Sequence, residues 1–332
     1  MKKRTALFFA VSFILLAAAV LLSLIIGTRD IPLKDIVDTL RGAETASLYA
    51  PILERRMIRT VLGLLAGCAL GTAGCLMQTI TGNPVADPSI LGVNTGASLF
   101  VVTGIAFFGV HTAGQYMALA LAGAAFTAAL VFGIASLSSG NTGVSPVQLA
   151  LSGAAVSTAC SSLISTVMLP RTNVMQVFRF WQTGSISGGS WESIRMITPL
   201  LLAGLITAFL LIPSLNILML GDDIATGLGV NVPRTRLLGA VSGVLLCGAV
   251  TAAAGPIGFV GLMIPHLVRQ CTGNDLKTLL PLSALDGAVL LLAADVAGRI
   301  VSRPSELEVG IVTAFIGAPV FIAVVRKAKV GK

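Results

Sequence analysis

Apolar stretches of membrane length follow one another through almost the whole chain, and no other property restricts its folding as much. Crossing the hydrocarbon of a bilayer takes roughly 20 apolar residues per helix. Such stretches run approximately over 5–27, 58–80, 92–110, 116–137, 147–168, 195–217, 237–254, 257–271, 279–300 and 308–325. They predict an all-α, polytopic membrane protein of about ten transmembrane helices, a single transmembrane domain over residues 1–332. With 55% hydrophobic and 11% charged residues, a water-soluble globule would lack polar surface. Aromatic residues are only 5% while glycines number 36, so the helices are expected to pack through small side chains that let backbones approach.

Lys2, Lys3 and Arg4 precede an apolar run to Ile26 that is long for a secretory signal and is taken as a retained first crossing. An even number of crossings puts both termini on one side. Basic residues at both ends, with Arg326, Lys327, Lys329 and Lys332 at the second, assign that side to the cytoplasm.

Several chemistries are disfavoured by what accompanies the candidate residues. The net charge of +8 comes without a basic stripe interleaved with aromatics, so no nucleic-acid partner is expected. Cys68, Cys75, Cys160, Cys247 and Cys271 lack metal-ligand spacing, and His266 has no companion ligand nearby in sequence, so neither metal nor cofactor is expected. Gly96-Ala97-Ser98 with His266 could suggest an intramembrane serine protease, but Gly-x-Ser arises easily in so glycine-rich a chain. An ion-coupled secondary transporter would need buried acids, and Asp286 is the one acid placed well inside a crossing. A helix–helix hydrogen bond is the expected role for Asp286.

Between the crossings, residues 28–57 carry Ile31, Leu33, Ile36, Val37 and Leu40 at helical spacing with Lys34, Asp35 and Asp38, predicting an amphipathic surface helix. Trp181 and Trp191 flank a Gly/Ser-rich excursion and are expected at headgroup level. After Gln78, the run Asn83-Pro84-Val85-Ala86-Asp87-Pro88 cannot continue a helix, because two prolines remove backbone donors. Its freed backbone groups need protein or water, which makes Gln78, Asn83 and Pro84 candidate pathway residues. In the loop 221–236, Asp222 or Asp223 could cap a short helix through Ile224, Ala225 and Thr226, with Gly227 and Gly229 as the stop after Leu228.

The ordered blocks Arg55-Arg56-Met57-Ile58-Arg59 to Gln78, Asn83-Pro84-Val85-Ala86-Asp87-Pro88, Leu91-Gly92-Val93-Asn94-Thr95-Gly96-Ala97 and Trp181-Gln182-Thr183-Gly184-Ser185 resemble the membrane-spanning subunits of FecCD/BtuC-type importers. So do Gly255-Pro256-Ile257-Gly258-Phe259-Val260-Gly261-Leu262 with Pro265, His266 and Arg269, Ala294-Asp295 with Arg299, and Pro304-Ser305-Glu306-Leu307 with Val309 to Ala314. The likeness extends from about Ile31 to Val325; Val85 and Glu308 stand where a leucine and a proline are usual.

The resemblance implies a permease that pairs with a second such subunit, identical or different, and binds two ATPase subunits at its cytoplasmic face. It also implies an extracytoplasmic substrate-binding protein, and a ferric siderophore as cargo, with cobalamin or haem as alternatives. It makes Gly221 to Gly229 the coupling helix that docks on the ATPase, Arg56, Arg59 and Arg299 the docking arginines for the binding protein, and Gly140, Asn141 and Gly143 part of a cytoplasmic gate. The chain itself contains no GxxxxGK[ST] loop, so energy from ATP requires a partner.

Overall fold

The computed structural model describes residues 2–27, 50–139 and 144–330. Residues 28–49, which hold most of the expected amphipathic segment, and Gly140, Asn141 and Gly143 of the expected gate lie outside the described residues.

The described chain is helical throughout. In order it forms α1 (Lys2–Ile25), α2 (Ala50–Thr81), a 3-10 turn (Pro88–Leu91), α3 (Val93–Phe108), α4 (Ala113–Ser139), α5 (Pro146–Met168), α6 (Thr172–Gln182) and α7 (Trp191–Leu210). Then follow α8 (Ile212–Leu218), α9 (Asp222–Gly227), α10 (Val232–Ala254), α11 (Val260–Thr272), α12 (Leu276–Val301) and α13 (Val309–Val330). Seven of these are long and apolar enough to cross a membrane, and α3, α11 and α13 fall on the other three expected stretches.

Two of the expected crossings are interrupted. The stretch 195–217 divides at Leu211, because Pro213 has no amide hydrogen to donate back into α7 and restarts the chain as α8. The stretch 257–271 is helical only from Val260: Gly255 adopts φ 72° and Phe259 the left-handed φ 69°, so α11 begins after an irregular approach. Its 13 residues reach only about 20 Å, less than a hydrocarbon core.

Helix α2 is the centre of the bundle: 78% of its most apolar window is buried, against 17% for α1. A seam of glycines makes this possible. A methyl group on Gly67 would lie 2.4 Å from the Gly287 carbonyl oxygen of α12, and one on Gly71 only 2.0 Å from that of Ser283. One on Gly74 would fall 1.8 Å from the Gly261 carbonyl oxygen of α11. Here the backbones themselves are in contact, which compensates for the missing hydrophobic drive between helices in lipid. Gly96 on α3 and Gly123 on α4 repeat the arrangement. Large side chains such as Phe13, Ile14, Phe126 and Leu137 point outward, as a lipid-facing surface requires. Asp286 of α12 takes a hydrogen bond from Ser12 of α1, the helix–helix contact expected for it.

Gly71→Ala should therefore lower the unfolding midpoint in detergent, followed by tryptophan fluorescence, by the equivalent of ~1–3 kcal/mol. Gly133→Ala, with open space around it, should leave the midpoint unchanged.

Candidate functional site

Charged groups gather at both ends of α2. At its first turns, α2 meets the end of α1 at Ile25, and the last carbonyls of α1 need donors. Arginines supply them. Arg56 Nη1 donates to the Leu24 and Ile25 carbonyls at 2.8 Å each, Arg299 Nη1 to those of Ser23 and Ile26 at 3.0 and 2.7 Å, and Arg303 Nη2 to that of Gly27 at 2.8 Å. Three cations at the negative end of the α1 dipole are electrostatically matched to it.

Behind them lies a buried ion network. Asp295, fully buried on α12, accepts from Arg59 Nε at 2.8 Å and Nη2 at 2.7 Å, and from Arg299 Nη2 at 2.8 Å. Arg59 Nη1 also pairs with Glu306, which precedes α13. Arg299 further donates to Ser23 Oγ at 2.9 Å, which exchanges a hydrogen bond with Thr60 at 2.8 Å. Two cations and two carboxylates thus neutralise one another and tie α1, α2, α12 and the approach to α13 together.

Arg56, Arg59 and Arg299 were expected to face a docking protein. Each is instead at most 8% exposed, with its guanidinium engaged inside the chain. Exposed charges at this end, among the described residues, include Glu54, Arg55, Arg303 and Glu306.

At the other end of α2, Gln78 is buried and serves a backbone need. Pro265 has no amide hydrogen, so the Gly261 carbonyl one turn earlier in α11 loses its helical donor. Gln78 Nε2 donates to that oxygen at 3.3 Å and to the Leu262 oxygen at 3.1 Å. The chain then breaks as the two prolines dictate. Gly82 takes φ 62°, Asn83 Oδ1 accepts from the Val85 amide at 3.1 Å, and Asp87 caps the 3-10 turn through the Ser89 amide at 2.9 Å. Burial pushes the Asp87 carboxyl above its ordinary range, opposed by the hydrogen bonds from Ser89. Asn83 and Pro84 are exposed.

The loop 221–236 contains the expected short helix, α9, but its acids act differently from expectation. Gly221 occupies the N-cap position, with φ 109° and no side-chain cap. Asp222 instead forms a two-pronged ion pair with Arg236 of α10, each oxygen 2.8 Å from a guanidinium nitrogen. Six residues are too few for an isolated helix. This pair, the Val230 amide bonded to the Ala225 carbonyl at 2.9 Å, and burial of Ala225 hold α9 against the bundle. Gly229, at φ 84°, ends the turn. Asp223, Ile224, Thr226, Gly227 and Leu228 face outward, and Ile224 and Leu228 are more than half exposed.

The pairings of Arg236 and Asp295 are not evident from the sequence, where Asp295 stands only within a motif block with Arg299. Pro265 was the sequence signal for Gln78's role: a proline inside a helix announces a carbonyl that another residue must satisfy. His266, beside it, shares a 2.8 Å contact with Gln270 one turn on.

Residues 15–327 match the FecCD transport family, and the chain belongs to that family. It is 44% identical over 315 residues to the ferric enterobactin transport system permease protein FepD of Escherichia coli (strain K12), covering 95% of this chain and 93% of that one. Against the Fe(3+)-citrate import system permease protein YfmD of Bacillus subtilis (strain 168) the identity is 40%, over 97% and 95% of the two chains. Among solved structures, a metal-chelate type ABC transporter in an inward-facing conformation superimposes with a TM-score of 0.81 at 29% identity, over 97% of this chain and 99% of that one. The chain is thus a multi-pass membrane protein of a transport-permease family.

Asp295→Asn leaves two buried arginines without a full counter-charge and should cost about 3–5 kcal/mol, read as a lower unfolding midpoint. Gln78→Leu, which orphans the Gly261 carbonyl, should cost ~1–3 kcal/mol in the same assay.

Proposed function

We propose that this chain is one of two membrane-spanning subunits of an ATP-driven importer that carries a ferric siderophore across the cytoplasmic membrane. The observation that carries the reading is the family match along nearly the whole chain, with ferric-chelate permeases among the similar proteins. The partners are a second permease subunit, two ATPase subunits and an extracytoplasmic substrate-binding protein. Both termini lie in the cytoplasm, as the basic residues in the first turn of α1 and the last turns of α13 favour.

In this orientation the arginine network sits at the extracytoplasmic mouth. Arg56, Arg59 and Arg299 act there from beneath the surface, fixing the end of α1 and holding Glu306, while Arg55 and Glu306 present charge to the binding protein. Charged rims of this kind govern docking rate and partner choice more than affinity. Residues 221–236 form the coupling loop on the cytoplasmic side, where exposed Ile224 and Leu228 suit a groove in the ATPase.

The pathway runs along α5. Thr158, Ser161, Ser162, Ser165 and Thr166 are all exposed on this membrane-length helix, and four of these hydroxyls bond to carbonyls one turn back, such as Thr158 to Ala154 at 2.8 Å and Thr166 to Ser162 at 2.8 Å. Satisfied hydroxyls make a weakly polar wall without metal-binding groups, suited to passing an intact chelate between two such subunits.

Uptake of iron-55 presented as several ferric siderophores, beside labelled haem and cobalamin, in cells with and without this chain tests the proposal. Loss of uptake confined to one or more ferric siderophores is expected. Unchanged iron uptake with loss of haem or cobalamin uptake would reassign the cargo, and no loss for any of them would refute the importer reading. Gly227→Pro with Gly229→Pro should insert normally yet uncouple ATP hydrolysis from uptake; wild-type coupling would remove 221–229 from the ATPase contact.

A further inference from the structure

Beside α9 a cleft of about 380 Å³ opens between the last turn of α2, the loop before α9 and the facing ends of α10 and α11. Gln78, Pro84, Asp222, Arg236 and Arg269 line it. Of its two arginines, only one has a carboxylate. Asp222 is the single acid along the cleft, and both of its oxygens are taken by Arg236. The guanidinium of Arg269, half-buried in the last turn of α11, has no hydrogen bond or ion pair among the described residues.

A guanidinium drawn out of water without an acceptor loses hydration and gains nothing in return. Its fork of donors matches a carboxylate. The segment that supplies the lining residues Met219, Gly221 and Asp222 also carries a bare apolar rim: Leu220, Ile224 and Leu228, each more than half exposed. A diffusible anion has no use for such a rim, whereas a folded partner that covers apolar surface and carries a carboxylate satisfies both features.

We propose that the cleft receives an aspartate or glutamate side chain of the ATPase, which pairs with Arg269 alongside the docked α9. This inference rests on the reading of residues 221–229 as the ATPase contact and adds a second, charged anchor to it. The apolar rim supplies contact area, and the Arg269 pair fixes the orientation in which the ATPase sits. Arg269 is thus a positioning residue for energy coupling.

The test uses the full permease with its own ATPase in lipid nanodiscs. An Arg269→Lys variant, treated with a carbodiimide that joins an amine to a carboxylate only at direct contact, should yield a peptide linking position 269 to an acidic residue of the ATPase. Independently, Arg269→Gln should weaken ATPase binding about tenfold at low ionic strength and flatten its salt dependence. This second measurement stands alone if the first variant does not assemble. A link from position 269 to a carboxylate of either permease subunit, or no link in an assembled complex, overturns the inference. So does an Arg269→Gln complex with wild-type affinity and salt dependence. Failure of the underlying docking reading looks different: Gly227→Pro with Gly229→Pro would then bind the ATPase as tightly as the wild type.

Discussion

Direct backbone contact along the glycine seam of α2 sets the spacing on which the rest of the molecule depends. Lipid tails solvate leucine as well as another helix does, so helices in a bilayer gain little by burying large apolar side chains against each other. Gly67, Gly71 and Gly74 bring α2 against the carbonyls of α12 and α11 instead, at distances that exclude even a methyl group. With α2 fixed in this way, its two ends become fixed points. Arg56 and Arg59 are delivered to the ends of α1 and α12, and Gln78 to the carbonyl that Pro265 leaves open in α11.

The two ends then serve opposite purposes. At the α1 end, charge is consumed internally: four ionised groups on α2, α12 and the approach to α13 neutralise each other around Asp295, and arginines close the last carbonyls of α1. That end is a rigid frame. At the other end, α9 is held by one ion pair, one backbone bond and one buried alanine and turns apolar side chains outward, beside the unpaired guanidinium of Arg269 on α11. Such a surface is incomplete without a partner, as expected of a subunit that draws its energy from another protein.

Fold and site were legible in the sequence to different depths. Apolar length alone located the seven helices long enough to cross a membrane, since the bilayer imposes that length on any helix that spans it; the other three apolar stretches coincide with α3, α11 and α13. The break at Pro84 and Pro88 and the helix near Asp222 followed from residues that cannot continue a helix or that favour its end. The partial helix α11 was hidden, because the apolar run 257–271 does not reveal that Gly255 and Phe259 adopt positive φ. Side-chain direction was also hidden. Arg56, Arg59 and Arg299 lie at the predicted end of the bundle, but residue type and depth cannot tell whether a guanidinium reaches out to a partner or back to the carbonyls of α1. Asp222 is the converse case: its place before a helix suggested a cap, while Arg236, fourteen positions later, claims both of its oxygens.

The central claim is that this chain forms a passage and obtains its energy from an ATPase. It is tested most directly by reconstituting the permease and its ATPase in sealed vesicles, supplying a ferric siderophore on its binding protein, and measuring accumulated iron-55 with ATP or with an ion gradient alone. Accumulation that requires ATP and is indifferent to proton and sodium gradients is the predicted result. Accumulation driven by either gradient without ATP would contradict it.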